Sequence, residues 1–283
     1  MRSCGVEADC GKIRNPQSTL RNRPAFTLLE LLVVISILGI LAALSVPALK
    51  NLGKSNAQIS AARQLLDDVG RARQLAISQH TTVYMVFVPA IWNLSASLQT
   101  TATKNLLDKQ YTGYNFLSLR SVGDQPGQGF SRYLSEWKSL PDGAFIATNK
   151  FNLAYYPGFA SYPIANIGAT YQINSFNYTN LFPFPNETNF NYSGLFLTPY
   201  LPFIAFNYLG QLTVDGTSLA SNDEFIPLAQ GTVAYATDVN KALQFAAPDV
   251  EENPPGNSTN SMFTVIHIDR LTGRATELRQ KVQ

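Results

Sequence analysis

Hydrophobic positions along this chain change their spacing twice, and each regime predicts a different element. From Phe26 to Val46 the chain is apolar with few interruptions, and Glu30 is its one charged residue. A helix of those twenty-one residues would be about 31 Å long, close to the roughly 30 Å hydrocarbon core of a bilayer. That length predicts a transmembrane helix over 26–47. From Lys50 to Gln79 the chain turns polar, yet Ala62, Leu65, Leu66, Val69, Ala72, Leu75 and Ala76 recur on one face at helical spacing. Arg63, Gln64, Asp67, Asp68 and Arg71 fall on the other face, so 48–80 reads as an amphipathic helix with a stripe for a folded domain to pack on. Pro47 lacks a backbone donor and crowds the preceding turn, which predicts a kink or local melting between Val46 and Gly53.

Beyond His80 the spacing shortens. Thr81 to Val88 is rich in strand formers and stops at Pro89. Further strands are predicted at Ala144–Thr148, Ala169–Ile173, Phe203–Tyr208, Glu224–Leu228, Thr232–Tyr235, Met262–Ile268 and Arg274–Leu278. Turns are signalled at Pro141-Asp142-Gly143, Leu209-Gly210, Asp215-Gly216 and Thr272-Gly273. A helix followed by many short strands and tight turns reads as α+β, with an antiparallel β-sheet head over 81–283. Within it, Asn, Tyr, Phe and Pro crowd residues 149–208. Rigid rings beside amides suit a recognition surface; the simpler reading is that the rings pack long loops onto the sheet.

Residues 1–25 read as a basic leader. Five of the 21 basic residues (Arg2, Lys12, Arg14, Arg21, Arg23) and two of the 19 acidic ones (Glu7, Asp9) lie there, which leaves 16 against 17 from Phe26 onward. The positive leader predicts cytoplasmic retention with export of the remainder, and the nearly neutral remainder predicts no nucleic-acid partner. Cys4 and Cys10 both sit in the leader, so the exported part has no disulfide chemistry.

Glu30 needs an explanation, because a carboxylate within hydrocarbon costs on the order of 3 kcal/mol unless neutralised. Ala25-Phe26-Thr27-Leu28-Leu29-Glu30, preceded by basic residues and followed by the apolar helix, resembles the processing site of type IV pilins and of the pseudopilins of type II secretion. The resemblance implies cleavage by a prepilin peptidase between Ala25 and Phe26, and N-methylation of Phe26. It also implies pairing of Glu30 with the amino terminus of a neighbouring subunit, inner-membrane anchoring, and assembly by a platform and an ATPase. Gly39 and Pro47 fall where family members often carry them; Ala25 departs from the usual Gly. Ile204 to Leu212, Phe225 to Leu228 and Val265 to Ala275 are similar to the last part of the H-type minor pseudopilins. Arg71 to Ile77 is similar to the same helix end in those proteins and in the T-type minor fimbrial pilins. Against this stands the plainer reading of a signal-anchored exported binding or hydrolytic domain, with Ala43-Leu44-Ser45 as a small-residue cleavage site.

Candidate chemistry is sparse. The chain has two histidines; His80 is placed at a helix end, where capping is expected, and His267 alternates with Val265 and Phe263 as a packed or rim imidazole. No Gly-x-Ser-x-Gly elbow or phosphate loop occurs. Asp249, Glu251 and Glu252 form an acidic loop before Pro254-Pro255-Gly256 whose spacing fits no defined Ca²⁺ loop. Neither an enzyme nor a cofactor is expected.

Overall fold

The computed structural model describes residues 27–93, 99–120, 123–124, 129–151, 163–167, 171–186, 200–258 and 264–279; side chains at 44–56, 93, 163–167 and 171 are outside the description. The leader with Cys4 and Cys10, the proposed cleavage pair Ala25 and Phe26, and parts of the 149–208 stretch therefore lie outside the described residues. The chain divides into two compact units, Met1–Ala48 and Leu49–Gln283.

Helix α1 runs over Leu28–Gln79 and keeps its helical assignment through Pro47, so the local melting expected between Val46 and Gly53 does not occur. Its end falls where the sequence places it. His80 takes a positive φ of 49°, the Thr81 N–H reaches back to the Ala76 carbonyl at 3.2 Å, and the His80 N–H to that of Ile77 at 3.4 Å. That pair of bonds is a Schellman cap, with histidine in the left-handed position that glycine usually fills.

Six strands make one antiparallel sheet among the described residues. They are β1 (Val83–Phe87), β2 (Gly113–Ser118), β3 (Arg132–Tyr133), β4 (Lys138–Ser139), β8 (Phe203–Phe206) and β9 (Leu212–Thr213), in the order β3-β2-β1-β8-β9 with β4 also on β2. A second sheet has the order β11-β10-β12-β13, from Asp249–Glu252, Glu224–Ala234, Thr264–Ile268 and Ala275–Arg279, with β5 (Ala144–Ile146) also on β10. A hairpin of β6 (Pro163–Ile167) and β7 (Tyr171–Asn174) stands beside it. The segments expected at Glu224–Leu228 and Thr232–Tyr235 fuse into β10, because three partners meet it in succession. β12 pairs with 224–228, β5 with 228–230 and β11 with 231–234.

Both sheets close on one stripe of α1. Ala61, Ala62, Leu65, Val69, Ala72 and Ala76 are fully buried against Val83, Met85 and Phe87 of β1, Tyr114 and Phe116 of β2, Ile204 and Phe206 of β8, Ile226 and Leu228 of β10, and Ile266 and Ile268 of β12. The first sheet is also covered on its other face, where Tyr84, Val86, Phe203 and Ala205 pack with Leu106, Leu107, Phe182 and Phe184. Burial on both faces explains why β1 reads Val-Tyr-Met-Val-Phe without polar alternation.

Asp68, assigned by periodicity to the solvent face of α1, is buried. Its carboxylate accepts from Tyr114 Oη at 2.6 Å and from Lys138 Nζ at 2.5 Å, while Gln64 Nε2 donates to Tyr114 Oη at 2.8 Å. Burial, then the bond to Asp68, pushes the Tyr114 phenol far above its ordinary pKa. A second polar knot lies at Lys150, whose side chain has no exposed surface. Its ammonium donates to the Glu224 carboxylate and to the Asn174 carbonyl, and lies 4.7 Å from the centre of the Phe176 ring. Desolvation lowers the Lys150 pKa and raises that of Glu224, and the attraction of each for the other opposes both shifts.

Five described aromatics of the 149–208 stretch follow the simpler reading, in which rings pack onto the sheet, while Tyr208 is exposed. Phe151, Phe176, Tyr178, Phe182 and Phe184 are buried. Phe176 stacks on Phe87 at 4.4 Å, and Tyr84, Phe182 and Phe203 form a mutual edge-to-face triad with centroids 5.2 to 5.4 Å apart.

Two stability predictions follow from this packing. Phe182→Ala is expected to cost about 3–5 kcal/mol in denaturant unfolding of the detergent-solubilised chain; a cost below about 1 kcal/mol would put the ring outside the core. Lys150→Met is expected to cost about 3 kcal/mol by leaving Glu224 unpaired, and Lys150→Met with Glu224→Leu to recover most of it. Equal loss in the single and double variants would show that packing, not charge, holds this joint.

Candidate assembly site at the start of helix α1

Helix α1 opens on Thr27-Leu28-Leu29-Glu30, and these residues close on one another. The Glu30 N–H donates to Thr27 Oγ1 at 3.1 Å, and Glu30 Oε2 accepts from the Thr27 N–H and from Thr27 Oγ1, both at 3.3 Å. The Leu31 N–H donates to the Thr27 carbonyl at 3.1 Å as the first helical bond. This is a capping box, in which an N-cap hydroxyl and a glutamate three residues on each satisfy the other's backbone donor. The carboxylate also lies at the positive end of the helix dipole. The Thr27 N–H belongs to the peptide bond with Phe26, so the box survives a cut before Phe26.

The box engages only one carboxylate oxygen; Glu30 Oε1 has no partner among the described residues. Glu30 is therefore held in place and still able to accept a cation. Sequence reasoning took Glu30 for a charge awaiting a partner outside the chain and missed Thr27. The signal was present, since Thr-x-x-Glu ahead of an apolar run is a helix-start pattern.

Downstream, every large apolar side chain from Leu28 to Leu41 is at least 44% exposed. A helix apolar on all sides needs hydrocarbon or other helices around it. Its one hydroxyl in that interval, Ser36, donates to the Leu32 carbonyl at 2.7 Å and so is satisfied within the helix. Gly39 has open space around its Cα, a small surface position that lets another helix approach closely. Among the described residues no helix is long and apolar enough to cross a membrane; side-chain description of the apolar stretch stops at Ala43, short of Leu44, Ser45 and Val46.

Comparison with known families decides what this helix start is: the prokaryotic N-terminal methylation motif matches residues 20–46. The chain carries the type IV pilin and pseudopilin signature. The signature implies processing by a prepilin peptidase and assembly with pilin subunits in general. No curated protein and no solved structure matches the chain. Within the pilin-type signature, Ala25 and Phe26 lie outside the described residues, Glu30 is the acceptor of the capping box, and Pro47 lies within continuous helix.

The other candidates resolve as structure. Asp249, Glu251 and Glu252 lie on β11 and not in a loop, paired with Ala234, Thr232 and Gly231 of β10. Strand alternation sets Glu252 on the opposite face from Asp249 and Glu251, and its carboxylate accepts from Ser258 Oγ at 2.6 Å. Among the described residues no three His, Cys, Asp or Glu side chains gather to hold a metal ion. His267 Nε2 meets Asp223 Oδ2 at 2.8 Å and its ring stacks on Phe225 at 4.8 Å, an imidazole fixed at the sheet rim.

Thr27→Val should remove the N-cap bond and fray the first turn of α1 at a cost of about 1 kcal/mol, while Thr27→Ser keeps the turn. Hydrogen exchange of the Leu28–Leu31 amides in micelles measures this; indistinguishable exchange in the two variants would mean that the box does not hold the helix start.

Proposed function

We propose that this chain is a minor pilin or pseudopilin, a non-catalytic structural subunit of a type II secretion or type IV pilus filament. In this reading the leader 1–25 is removed, Phe26 becomes the methylated amino terminus, and the helix over 26–47 anchors the subunit in the inner membrane with its head in the periplasm. Partners are a prepilin peptidase, other pilin-like subunits, and the inner-membrane platform and ATPase that drive assembly. The observation that carries the proposal is the methylation signature at 20–46, which coincides with a helix start whose glutamate has one oxygen unengaged among the described residues. Similarity of Ile204–Leu212, Phe225–Leu228 and Val265–Ala275 to H-type minor pseudopilins, and of Arg71–Ile77 to both H-type and T-type minor subunits, supports the subclass.

Charge balance gives the mechanism. An isolated carboxylate is costly in hydrocarbon, and the amine of a neighbouring Phe26 restores neutrality where two subunits lie side by side. The pairing acts in assembly and not in folding.

Mass analysis of the membrane-extracted protein should find Phe26 at the amino terminus, with or without a methyl group. A terminus near Leu44–Val46, or an uncut Met1, would overturn the reading. Glu30→Gln and Glu30→Leu should both lose their leader and keep a folded head, yet fall roughly tenfold in recovery from sheared or cross-linked filaments, as expected for about 1.4 kcal/mol of lost pairing. Incorporation at the unaltered level would remove Glu30 from subunit pairing.

A further inference from the structure

A cavity of about 320 Å³ opens where β7, the loop 220–223 ahead of β10 and the β12–β13 turn meet. That volume is at the lower end of the roughly 300–1,000 Å³ of small-ligand sites, yet the wall is far more polar than theirs. Gln172 and Asn174 of β7 and Asn222 of the loop bring three side-chain amides to it, and none of these amides makes a hydrogen bond among the described residues. Arg270 Nη1 donates to the Ala220 carbonyl at 3.5 Å, and the rest of the guanidinium fork has no partner among the described residues.

The frame that carries these groups is fixed. Asp223 Oδ1 accepts from the Arg270 N–H at 3.0 Å, and Oδ2 meets His267 Nε2 at 2.8 Å, which ties the loop to β12 and its turn. Phe225, on the same wall, stacks on the His267 ring and packs with the buried Ile173 and Val265. The buried Lys150 ammonium donates to the Asn174 carbonyl of β7 at 2.6 Å and to the Glu224 carboxylate of β10, so one cation joins two sides of the cavity. A buried ion pair adds little net stability after desolvation; here it sets the separation of β7 and β10.

The chemistry of the wall selects the ligand. Its two charged side chains, Asp223 and Arg270, are opposite in sign, so no net charge favours a cation or an anion. Each amide offers a donor beside an acceptor, and the one ligand group that answers both is a hydroxyl. A sugar ring carries several hydroxyls on a compact frame and turns C–H groups toward an apolar wall such as Phe225. An extended peptide presents its donors and acceptors along a line, at about 3.4 Å per residue, and suits a strand edge better than amides converging from two segments. We propose that this cavity binds one neutral sugar residue of a glycan. The site belongs to the head alone and does not rest on the filament reading.

The test is saturation-transfer NMR on the full chain in dodecylphosphocholine micelles, whose head groups carry no sugar. The probes are the methyl glycosides of glucose, galactose, mannose and N-acetylglucosamine at millimolar concentration, with methyl glucuronide as the charged control and a blocked tetraglycine as the peptide control. At least one neutral glycoside should receive saturation, and Gln172→Ala with Asn222→Ala should weaken its binding roughly tenfold. Both side chains are exposed, so the double variant keeps its fold. Saturation of no neutral glycoside, undiminished binding by the double variant, or stronger binding of the glucuronide or the peptide would overturn the assignment.

Discussion

The head depends on one geometrical constraint, the width of the stripe that α1 offers to two sheets at once. Four of its six fully buried stripe residues are alanines, and small side chains let strands from both sheets come close to a single helix. The volume left vacant is filled from the sheets by Phe87, Tyr114, Phe116, Phe145, Phe176 and Phe206. Large rings over a helix of small residues fill the space between helix and sheets. The same arrangement makes Gly210 and Gly273 necessary, since the turns that end the two sheets converge on Arg73 and Ile77 at the end of the stripe.

Elements with one strong local cause were legible in the sequence. β1, β8, β12 and the His80 helix end fell where expected, as did the turns at Gly143, Gly210, Gly216 and Gly273, all four of which take positive φ. β2 was missed because Gly113-Tyr-Asn-Phe-Leu-Ser mixes a glycine and an asparagine into a strand whose six residues are all buried. Its Asn115 Oδ1 accepts from the adjacent Phe116 N–H at 2.7 Å and from Ser135 Oγ, twenty residues away, at 2.5 Å. Asp68 was assigned to solvent because periodicity weighs polarity alone, whereas Tyr114 and Lys138 come from 46 and 70 residues away to satisfy it. β11 read as a loop because Asp and Glu are poor strand formers, and its pairing comes from β10.

The aromatic stretch shows the limit of composition. Phe and Tyr beside Asn and Pro are compatible with a binding surface or with a second core layer, and only the position of the first sheet decides. That sheet has a rear face, and Phe182 and Phe184 are what cover it. Strands this short, apolar on both sides, would otherwise expose Tyr84, Val86 and Phe203 to water, so Phe182 and Phe184 serve stability.

The start of α1 obeys a different logic, because among the described residues nothing covers its large apolar side chains from Leu28 to Leu41. Its one carboxylate solves a local problem, the unpaired backbone donors of the first helical turn, through a single oxygen. A neutral glutamine could accept the same bond through its carbonyl and preserve the cap. It could not neutralise an incoming ammonium. Under the proposed pairing, capping and subunit contact are separable functions of one side chain, set by its hydrogen-bonding oxygen in the first case and by its charge in the second. A helix start that is already capped presents its carboxylate in a fixed position, and in the proposed filament that lowers the ordering cost of pairing with a neighbouring amino terminus.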